Sequence, residues 1–258
     1  MKIIDADRNL LYQIISAIYK DFKISPTVVE LGVLKGKNAQ AMYDLMNPKK
    51  MILIDSWSSK AAIEYELINS HRDWVDQPDK YAFYYGGSLK SQETFDRLYD
   101  ETCSKFIDTN KVDIIRMETL EAINELKRRS IEEIQLIYVD ANHSYEKVLD
   151  DLMFYKPFLD KKYGCFQLND CCHSMAGVRQ NLGVLEAAQK FCKLSNFIPL
   201  VAVNRDFTDV LFAHKDSLMV GYIDNIFSNN DLSYVEVPDQ LFANLTVRVG
   251  VRANISFV

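Results

Sequence analysis

Short apolar runs alternate with amphipathic stretches along most of this 258-residue chain, and this alternation limits the fold more than any other feature. The apolar runs have the length of strands and the amphipathic stretches have the length of helices. Such alternation is typical of βαβ units, in which parallel strands are joined by helices. It predicts strands at 27–31, 51–55, 112–115, 134–139, 165–168, 197–203 and 209–214, and helices at 7–19, 38–45, 118–128, 145–158 and 177–191.

The connection between the last two predicted strands, Asn204–Asp206, is very short. A connection of this length can close a hairpin but cannot hold a crossover helix, so the last strand is expected to be antiparallel. The predicted fold class is therefore α/β. It is a Rossmann-like, seven-stranded, mostly parallel sheet with helices on both faces and an antiparallel last strand.

Two segments do not follow the alternation. Residues 56–92 form an insertion rich in aromatic residues, which we expect to be a lid or an acceptor-binding element, or else a helical spacer or subunit contact. Residues 215–258 form a tail with strand-like runs at 234–237 and 245–251. We expect this tail to pack on the same domain or to pair with a partner subunit in a homo-oligomer. The predicted organisation is one domain over residues 1–214, with the insertion inside it, and a C-terminal extension.

Charge and cysteine content argue against several classes of protein. The chain has 30 Lys and Arg and 36 Asp and Glu, a net charge of −6, whereas nucleic-acid-binding faces carry clustered excess Lys and Arg. No signal peptide and no apolar stretch of roughly 18 residues is present, so neither secretion nor membrane association is expected. Five cysteines without C-x-x-C spacing are typical of a reduced protein. The predicted location is cytoplasmic.

The first long strand ends in a glycine-containing turn, Glu30–Gly36, that leads into a helix. Glycine is scarce in this chain, with 9 residues, so two of them in one turn are informative. They let the backbone approach a ligand near a helix N-terminus. The dinucleotide pattern G-x-G-x-x-G is absent because Leu34 stands at its second glycine.

Acidic residues end or follow the predicted strands. Asp55 ends the second strand, where a carboxylate can accept both ribose hydroxyls of an adenosine. Open α/β sheets bind ligands at the carboxyl ends of their strands. We therefore expect one edge of the sheet to hold a nucleoside site that contains Glu30, Gly32, Asp55, Glu118 and Asp140.

The pattern E-L-G-x-x-x-G, followed by an acidic residue that ends the next strand, resembles class I S-adenosylmethionine-dependent methyltransferases. The runs Ile137–Tyr145, Asp150–Leu152 and Leu168–Asp170 are similar to one branch of that family. This branch contains the macrocin and mycinamicin sugar O-methyltransferases and the cephamycin-type methyltransferase. The similarity extends over residues 27–192.

The resemblance implies a binding site for S-adenosylmethionine. Its residues would be Glu30, Gly32, Gly36, Asp55 and Asp140, together with Glu118 or Thr119. Simpler readings are open for some of these positions. The glycines could serve only a tight turn and close helix–strand packing, and Asp55 could be a loop-side cap.

The resemblance also implies a divalent cation, Mg²⁺ or Mn²⁺, bound by Asp140, Asn169 and Asp170. Hard oxygen ligands suit Mg²⁺, and a bound dication lowers the pKa of an acceptor hydroxyl. Asn169 departs from the family pattern, which has an acidic residue there, so the site would carry one negative charge less. His143 is the candidate general base and His173 is the second choice. Helix capping by residues 140–144 is the alternative.

The predicted activity is O-methylation of a sugar hydroxyl, with the sugar free, nucleotide-linked or attached to a larger scaffold. Basic residues that could bind a diphosphate are Lys90, Arg179 and Arg205. Two other functions are open at this point. One is metal-independent methylation of another small molecule, and the other is nucleoside binding without catalysis.

Overall fold

The computed structural model describes residues 1–69, 82–107, 109–171, 177, 179–204, 207–249 and 253–256. Its helices, besides two short 3₁₀ helices at Lys156–Phe158 and Asp239–Asn244, are α1 (Arg8–Asp21), α2 (Lys37–Met46), α3 (Ser59–Asn69), α4 (Ala82–Tyr85), α5 (Gln92–Lys105), α6 (Thr119–Arg128), α7 (Tyr145–Tyr155), α8 (Val184–Leu194) and α9 (Leu218–Asn229). Its strands are β1 (Lys2–Ile4), β2 (Thr27–Leu31), β3 (Lys50–Asp55), β4 (Val112–Arg116), β5 (Leu136–Val139), β6 (Cys165–Leu168), β7 (Phe197–Val203), β8 (Val210–His214), β9 (Tyr234–Glu236), β10 (Thr246–Val249) and β11 (Ala253–Ser256).

One mixed sheet forms the centre of the molecule, with the strand order β4-β3-β2-β5-β6-β8-β7-β1-β9. Strands β2 to β6 are mutually parallel wherever they pair. Strand β8 is antiparallel to both β6 and β7, as the short connection before it predicts. The α/β fold with a mostly parallel sheet and an antiparallel β8 is thus confirmed.

The prediction of seven strands is wrong, because the described part of the chain places nine strands in this sheet. Strand β1 pairs in parallel with β7, and β9 pairs with β1 in the antiparallel sense. Each of the two added strands has three residues, which is too few for a period-two pattern to be visible in sequence. Both become strands only because a partner from a distant part of the chain lies beside them.

The strands are buried because helices cover both faces of the sheet. All five residues of β2 are buried, and adjacent side chains point to opposite faces. Val29 and Leu31 pack in the core formed with α6, α7 and α8. Val28 packs in the core formed with α1, α2, α5 and α9. These two cores hold the carboxyl edge of the sheet, where the candidate site lies, in a fixed shape.

The tail contains a helix that the sequence pattern did not predict, and the insertion contains helices, which only its alternative interpretation as a helical spacer includes. The insertion includes α3 and α4, and the tail begins with α9, whose Met219, Ile223 and Phe227 are buried. The predicted helix over 177–191 is interrupted, since Gly177 and Arg179 are helical, residues 180–183 are not, and α8 covers Val184–Leu194. Strands β10 and β11 form a separate antiparallel pair. Within the described residues, no helix has the length and apolar character needed to cross a bilayer.

Candidate functional site

The carboxyl ends of five neighbouring parallel strands lie at one edge of the sheet. Leu31 is in register with Ile54 on one side and with Val139 on the other, and Val139 is in register with Leu168. The residues that follow these strands therefore form one continuous rim. This rim contains the predicted site residues that end or follow these strands, namely Gly32, Asp55, Glu118, Thr119, Asp140, His143, Asn169 and Asp170, whereas Glu30 lies within β2 and Gly36 precedes α2.

Gly32 turns the chain sharply at the end of β2. Its φ is +82°, and a Cβ atom placed on it would lie 2.0 Å from the backbone oxygen of Asp140. Its N–H donates to the Ile54 oxygen at 2.8 Å, and the Asp140 N–H donates to the Leu31 oxygen at 2.7 Å. Only glycine allows the two loops to approach this closely. Gly36, at φ +66°, ends the same turn.

Leu34 occupies the position where the dinucleotide pattern has glycine, and it adopts the backbone conformation that glycine favours, with φ +53°. Its oxygen accepts hydrogen bonds from Trp57 Nε1 at 2.8 Å and from Thr102 Oγ1 at 3.1 Å. Trp57 is 1% exposed. This tryptophan, which belongs to the aromatic-rich insertion, therefore lies in the core beneath the turn.

Asp55 uses both carboxylate oxygens to hold the turn. Oδ2 accepts from the N–H groups of Val33 and Leu34 at 2.8 and 2.9 Å, and Oδ1 accepts from the Trp57 N–H at 2.8 Å. This geometry is that of the loop-side cap considered as the alternative. The ribose-binding role of Asp55 stays a prediction.

Glu30 lies under the turn and is 1% exposed. Its Oε1 accepts from Asn38 Nδ2 at 2.8 Å, and Asn38 Oδ1 accepts in turn from the Tyr12 hydroxyl at 2.7 Å. Its Oε2 is buried and has no hydrogen-bond partner in the described part of the chain. Burial holds the pKa of Glu30 well above its usual range, with Asn38 opposing this effect.

The acidic residues after β5 and β6 meet around one histidine. His143 Nε2 lies 3.2 Å from Asp140 Oδ1 and 3.6 Å from Asp170 Oδ2. Asn169 Nδ2 donates to Asp140 Oδ1 at 2.8 Å, while Asn169 Oδ1 is buried and has no hydrogen-bond partner among the described residues. We call Asp140, His143, Asn169 and Asp170 the carboxylate cluster.

Burial and the neighbouring charges shift the pKa values within the carboxylate cluster. Burial acts to lower the pKa of His143, but Asp140 and Asp170 outweigh it, so this pKa is raised. Burial raises the pKa of Asp170 to about 6, against the opposing charge of His143. Within the stretch 140–144 that could cap α7, Asn142 Oδ1 accepts from the Ser144 N–H at 2.9 Å. The contacts of Asp140 and His143 described above are instead with each other and with Asn169 and Asp170.

Glu118 and Thr119 stand at the start of α6. Glu118 is partly exposed, and partial burial together with Asp55 raises its pKa against the effect of Lys147. The Thr119 hydroxyl donates to Asp151 Oδ1 at 2.6 Å, and the Thr119 oxygen accepts from the Tyr155 hydroxyl at 2.6 Å. Burial raises the pKa of Asp151 to about 7. The hydroxyl of Thr119 is thus directed into the protein by its partner on α7.

Sequence reasoning missed a second charged group beside the carboxylate cluster. Arg8 Nη1, from the first turn of α1, donates to the Tyr138 hydroxyl at 2.6 Å, and Nη2 lies 3.6 Å from Asp209 Oδ1. Asp209 Oδ2 accepts from Tyr138 at 3.1 Å and from Gln167 Nε2 at 2.8 Å. No local pattern marks these residues, since their contacts depend on the positions of α1, β5, β6 and β8.

The predicted metal site is only partly assembled by this geometry. Asp140, Asn169 and Asp170 do come together, but no group of three or more His, Cys, Asp or Glu residues suited to a metal ion occurs among the described residues. The metal assignment therefore stays a prediction. His173, the second candidate base, and Arg205 lie outside the described residues.

Comparison with known proteins identifies the family. The family model described as a methyltransferase domain matches residues 29–171, which is more than half of the chain. No curated protein matches significantly. Among solved structures, cofactor-bound Rv0187 from MTB is 8% identical with a TM-score of 0.51, and the alignment covers 82% of each chain.

A second solved structure, the O-methyltransferase TomG from Streptomyces achromogenes in complex with SAM, is also 8% identical, with a TM-score of 0.50 and 80% of each chain covered. At these identities the structures show a shared fold and nothing finer. The family model spans the glycine turn, the rim of the sheet and the whole carboxylate cluster. The chain belongs to the methyltransferase-domain family and is a methyltransferase.

Proposed function

We propose that this methyltransferase uses S-adenosylmethionine to methylate a hydroxyl group of a sugar, with His143 as the general base. The observation that carries this proposal is the contact of His143 Nε2 with Asp140 and Asp170 at the same rim as the glycine turn. Methyl transfer to an alcohol needs a methyl donor and a proton acceptor side by side. The rim holds residues suited to bind the methyl donor and a histidine suited to accept the proton.

The residues around the glycine turn fit the methyl donor. The buried Oε2 of Glu30 is available to a donor group of a ligand, and the turn at Gly32 is a cradle that a Cβ would fill. When bound, S-adenosylmethionine supplies an electrophilic methyl group on a sulfonium. Glu30, Gly32 and Gly36 would hold it, with Glu118 before the start of α6.

His143 would receive the hydroxyl proton at Nδ1, because Nε2 is buried and faces Asp140 and Asp170. The two carboxylates beside Nε2 stabilise the imidazolium that results, which makes the imidazole a stronger base than an isolated histidine. A sugar hydroxyl is a weak nucleophile at neutral pH, so this proton transfer is the step that the protein must assist. Asp140 and Asp170 would orient the imidazole.

The sugar acceptor is supported by the resemblance of Ile137–Tyr145 and Leu168–Asp170 to sugar O-methyltransferases. These two runs enclose the carboxylate cluster in the fold, so the similarity lies where the acceptor would react. Transfer of a labelled methyl group from S-adenosylmethionine to free sugars, nucleoside diphosphate sugars and a catechol tests the acceptor class. Labelling of the catechol alone would contradict the sugar proposal.

His143→Gln tests the base directly, because glutamine keeps a similar volume but cannot accept the proton. His214→Gln is a matched control, since His214 lies at the end of β8 and is partly exposed. We expect methyl transfer to be lost in the first variant and kept in the second, with both still binding S-adenosylhomocysteine. Equal activity in the two variants would exclude His143 as the base.

A metal-assisted form of the same reaction is the second candidate, favoured by the unpartnered, buried Asn169 Oδ1. Asp140, Asn169 and Asp170 would hold Mg²⁺ or Mn²⁺ through oxygen atoms, and the ion would lower the pKa of the acceptor hydroxyl. Treatment with EDTA, followed by return of Mg²⁺, tests this form. Undiminished turnover in EDTA would exclude the metal-assisted form and leave His143 as the only group proposed to assist loss of the hydroxyl proton.

A further inference from the structure

The guanidinium of Arg8 is a cation placed among carboxylates at the site. Besides its 3.6 Å contact with Asp209, its charge interacts with Glu30, Asp140 and Asp170. Tyr138, to which Arg8 donates, is in register with Glu30 on β2 and lies two residues before Asp140, so Arg8 lies beside the place where the donor's amino-acid end would bind. The side chain is 33% exposed, whereas that of Asp209 is 2% exposed.

Arg8 has hydrogen-bonding capacity left over. Its guanidinium carries five N–H donors, and one hydrogen bond, from Nη1 to the Tyr138 hydroxyl, uses one of them among the described residues. The Nη2 contact with Asp209 at 3.6 Å is an ion pair but is too long for a hydrogen bond. A partly exposed guanidinium with unused donors is suited to a carboxylate.

The methyl donor presents such a group, since its amino-acid end has one positive and one negative charge. The α-amino group would find acceptors on Glu30 and Asp140, but Asp140 would repel the α-carboxylate. A cation is needed on the same side of the turn, and Arg8 lies there.

We propose that Arg8 binds the α-carboxylate of S-adenosylmethionine, a role that rests on the proposed function. Tyr138 and Asp209 hold the guanidinium from beneath, and Gln167 in turn holds Asp209. Helix α1 thereby becomes part of the cofactor site, although it lies outside the segment that matches the family model.

Binding of two ligands to two variants tests this role. Decarboxylated S-adenosylmethionine keeps the amino group and the sulfonium but lacks the carboxylate. Arg8→Gln keeps most of the stem of Arg8 and a donor for Tyr138 but loses the charge. Arg129→Gln is the matched control, because Arg129 is also 33% exposed and pairs with Asp113 and Glu125 at the other end of α6.

We expect titration calorimetry to show that the wild type prefers the complete cofactor over the decarboxylated one by about 10- to 100-fold, the range of a charge-assisted pair. Arg8→Gln should reduce this ratio to near one, and Arg129→Gln should leave it unchanged. The ratio is insensitive to a general loss of affinity, so it separates carboxylate binding from a structural role.

Three outcomes would overturn the inference. The first is a wild type that binds both ligands equally, and the second is an Arg8→Gln variant that keeps the preference. The third is an unchanged ratio with a raised KM for a phosphate-bearing acceptor, which would assign Arg8 to the acceptor. If Arg8→Gln does not fold, Arg8→Lys is used, and its ratio should fall at least threefold; an unchanged ratio would again overturn the inference. A wild type that binds neither ligand would contradict the proposed function itself.

Discussion

Two groups of carboxylates lie at the same edge of the sheet, but they are satisfied in different ways. Asp55 accepts three backbone N–H groups, so both of its oxygens are used in holding the glycine turn. In the carboxylate cluster the neighbours are side chains, and the buried Asn169 Oδ1 has no hydrogen-bond partner among the described residues. A carboxylate whose oxygens are all hydrogen-bonded to the backbone holds a turn in place, whereas a cluster with an unpartnered polar atom can still bind a ligand or accept a proton.

The largest effect is expected from Gly32→Ala, which would distort the backbone of the glycine turn. The added Cβ would lie 2.0 Å from the Asp140 oxygen at a φ of +82°, so backbone must move. We expect the free energy of unfolding to fall by about 3 kcal/mol or more, with loss of cofactor binding. Gly221→Ala, with nothing within 4 Å in α9, is the control and should be neutral or slightly stabilising. Equal stability of the two variants in urea would contradict this explanation.

His143→Gln removes the proposed proton acceptor but should leave the conformation of the glycine turn unchanged. The contacts that it loses are those with Asp140 and Asp170, and no backbone group of the turn depends on them. We expect kcat to fall about 10²- to 10⁴-fold, the usual contribution of a general base, while the Kd of S-adenosylhomocysteine changes less than about twofold. An increased Kd with unchanged kcat would mean that the carboxylate cluster, like the glycine turn, has only a structural role.

Asp55→Asn removes one acceptor from the turn and puts a donor in its place. At least one of the N–H groups of Val33, Leu34 and Trp57 then loses its partner. We expect the free energy of unfolding to fall by about 1–3 kcal/mol, the cost of an unsatisfied buried donor. Measuring adenosine binding together with stability separates a structural role of Asp55 from a ribose-binding role. A loss of binding without a loss of stability would favour the ribose-binding role of Asp55.

Asp151 gives the smallest expected effect, through pH. Its pKa is raised to about 7 by burial, so between pH 4 and 7 the native state keeps a proton that the unfolded chain has lost. Stability from this group is therefore present at low pH and lost as the pH rises to 7. Relative to Asp151→Asn, the wild type should lose about 1 kcal/mol between pH 5 and 6. Parallel stability profiles of the two proteins would contradict this sign, and the exposed Asp231→Asn serves as control.

The sequence predicted the strands that carry the site better than it predicted the residues packed beneath it. The strands at Thr27–Leu31 and Cys165–Leu168 have the bounds that their apolar runs indicate, and the residues after them lie at one rim as expected. The burial of Trp57 beneath the turn was not predicted, because an aromatic residue in a long insertion has no local pattern that places it. The three residues of β1 were missed because so short a run shows no period-two pattern.

The sequence by itself determined the alternation of strands and helices, the antiparallel pairing of β7 with β8 and the acidic residues at the carboxyl edge. These follow from the periodicity of neighbouring residues, and a parallel sheet brings its strand ends to one side. Tertiary structure alone decided which carboxylates are saturated, that β1 and β9 extend the sheet, and that Arg8 reaches Asp209 beside the site. Such contacts join distant parts of the chain, and their formation depends on how whole elements pack and not on any local pattern.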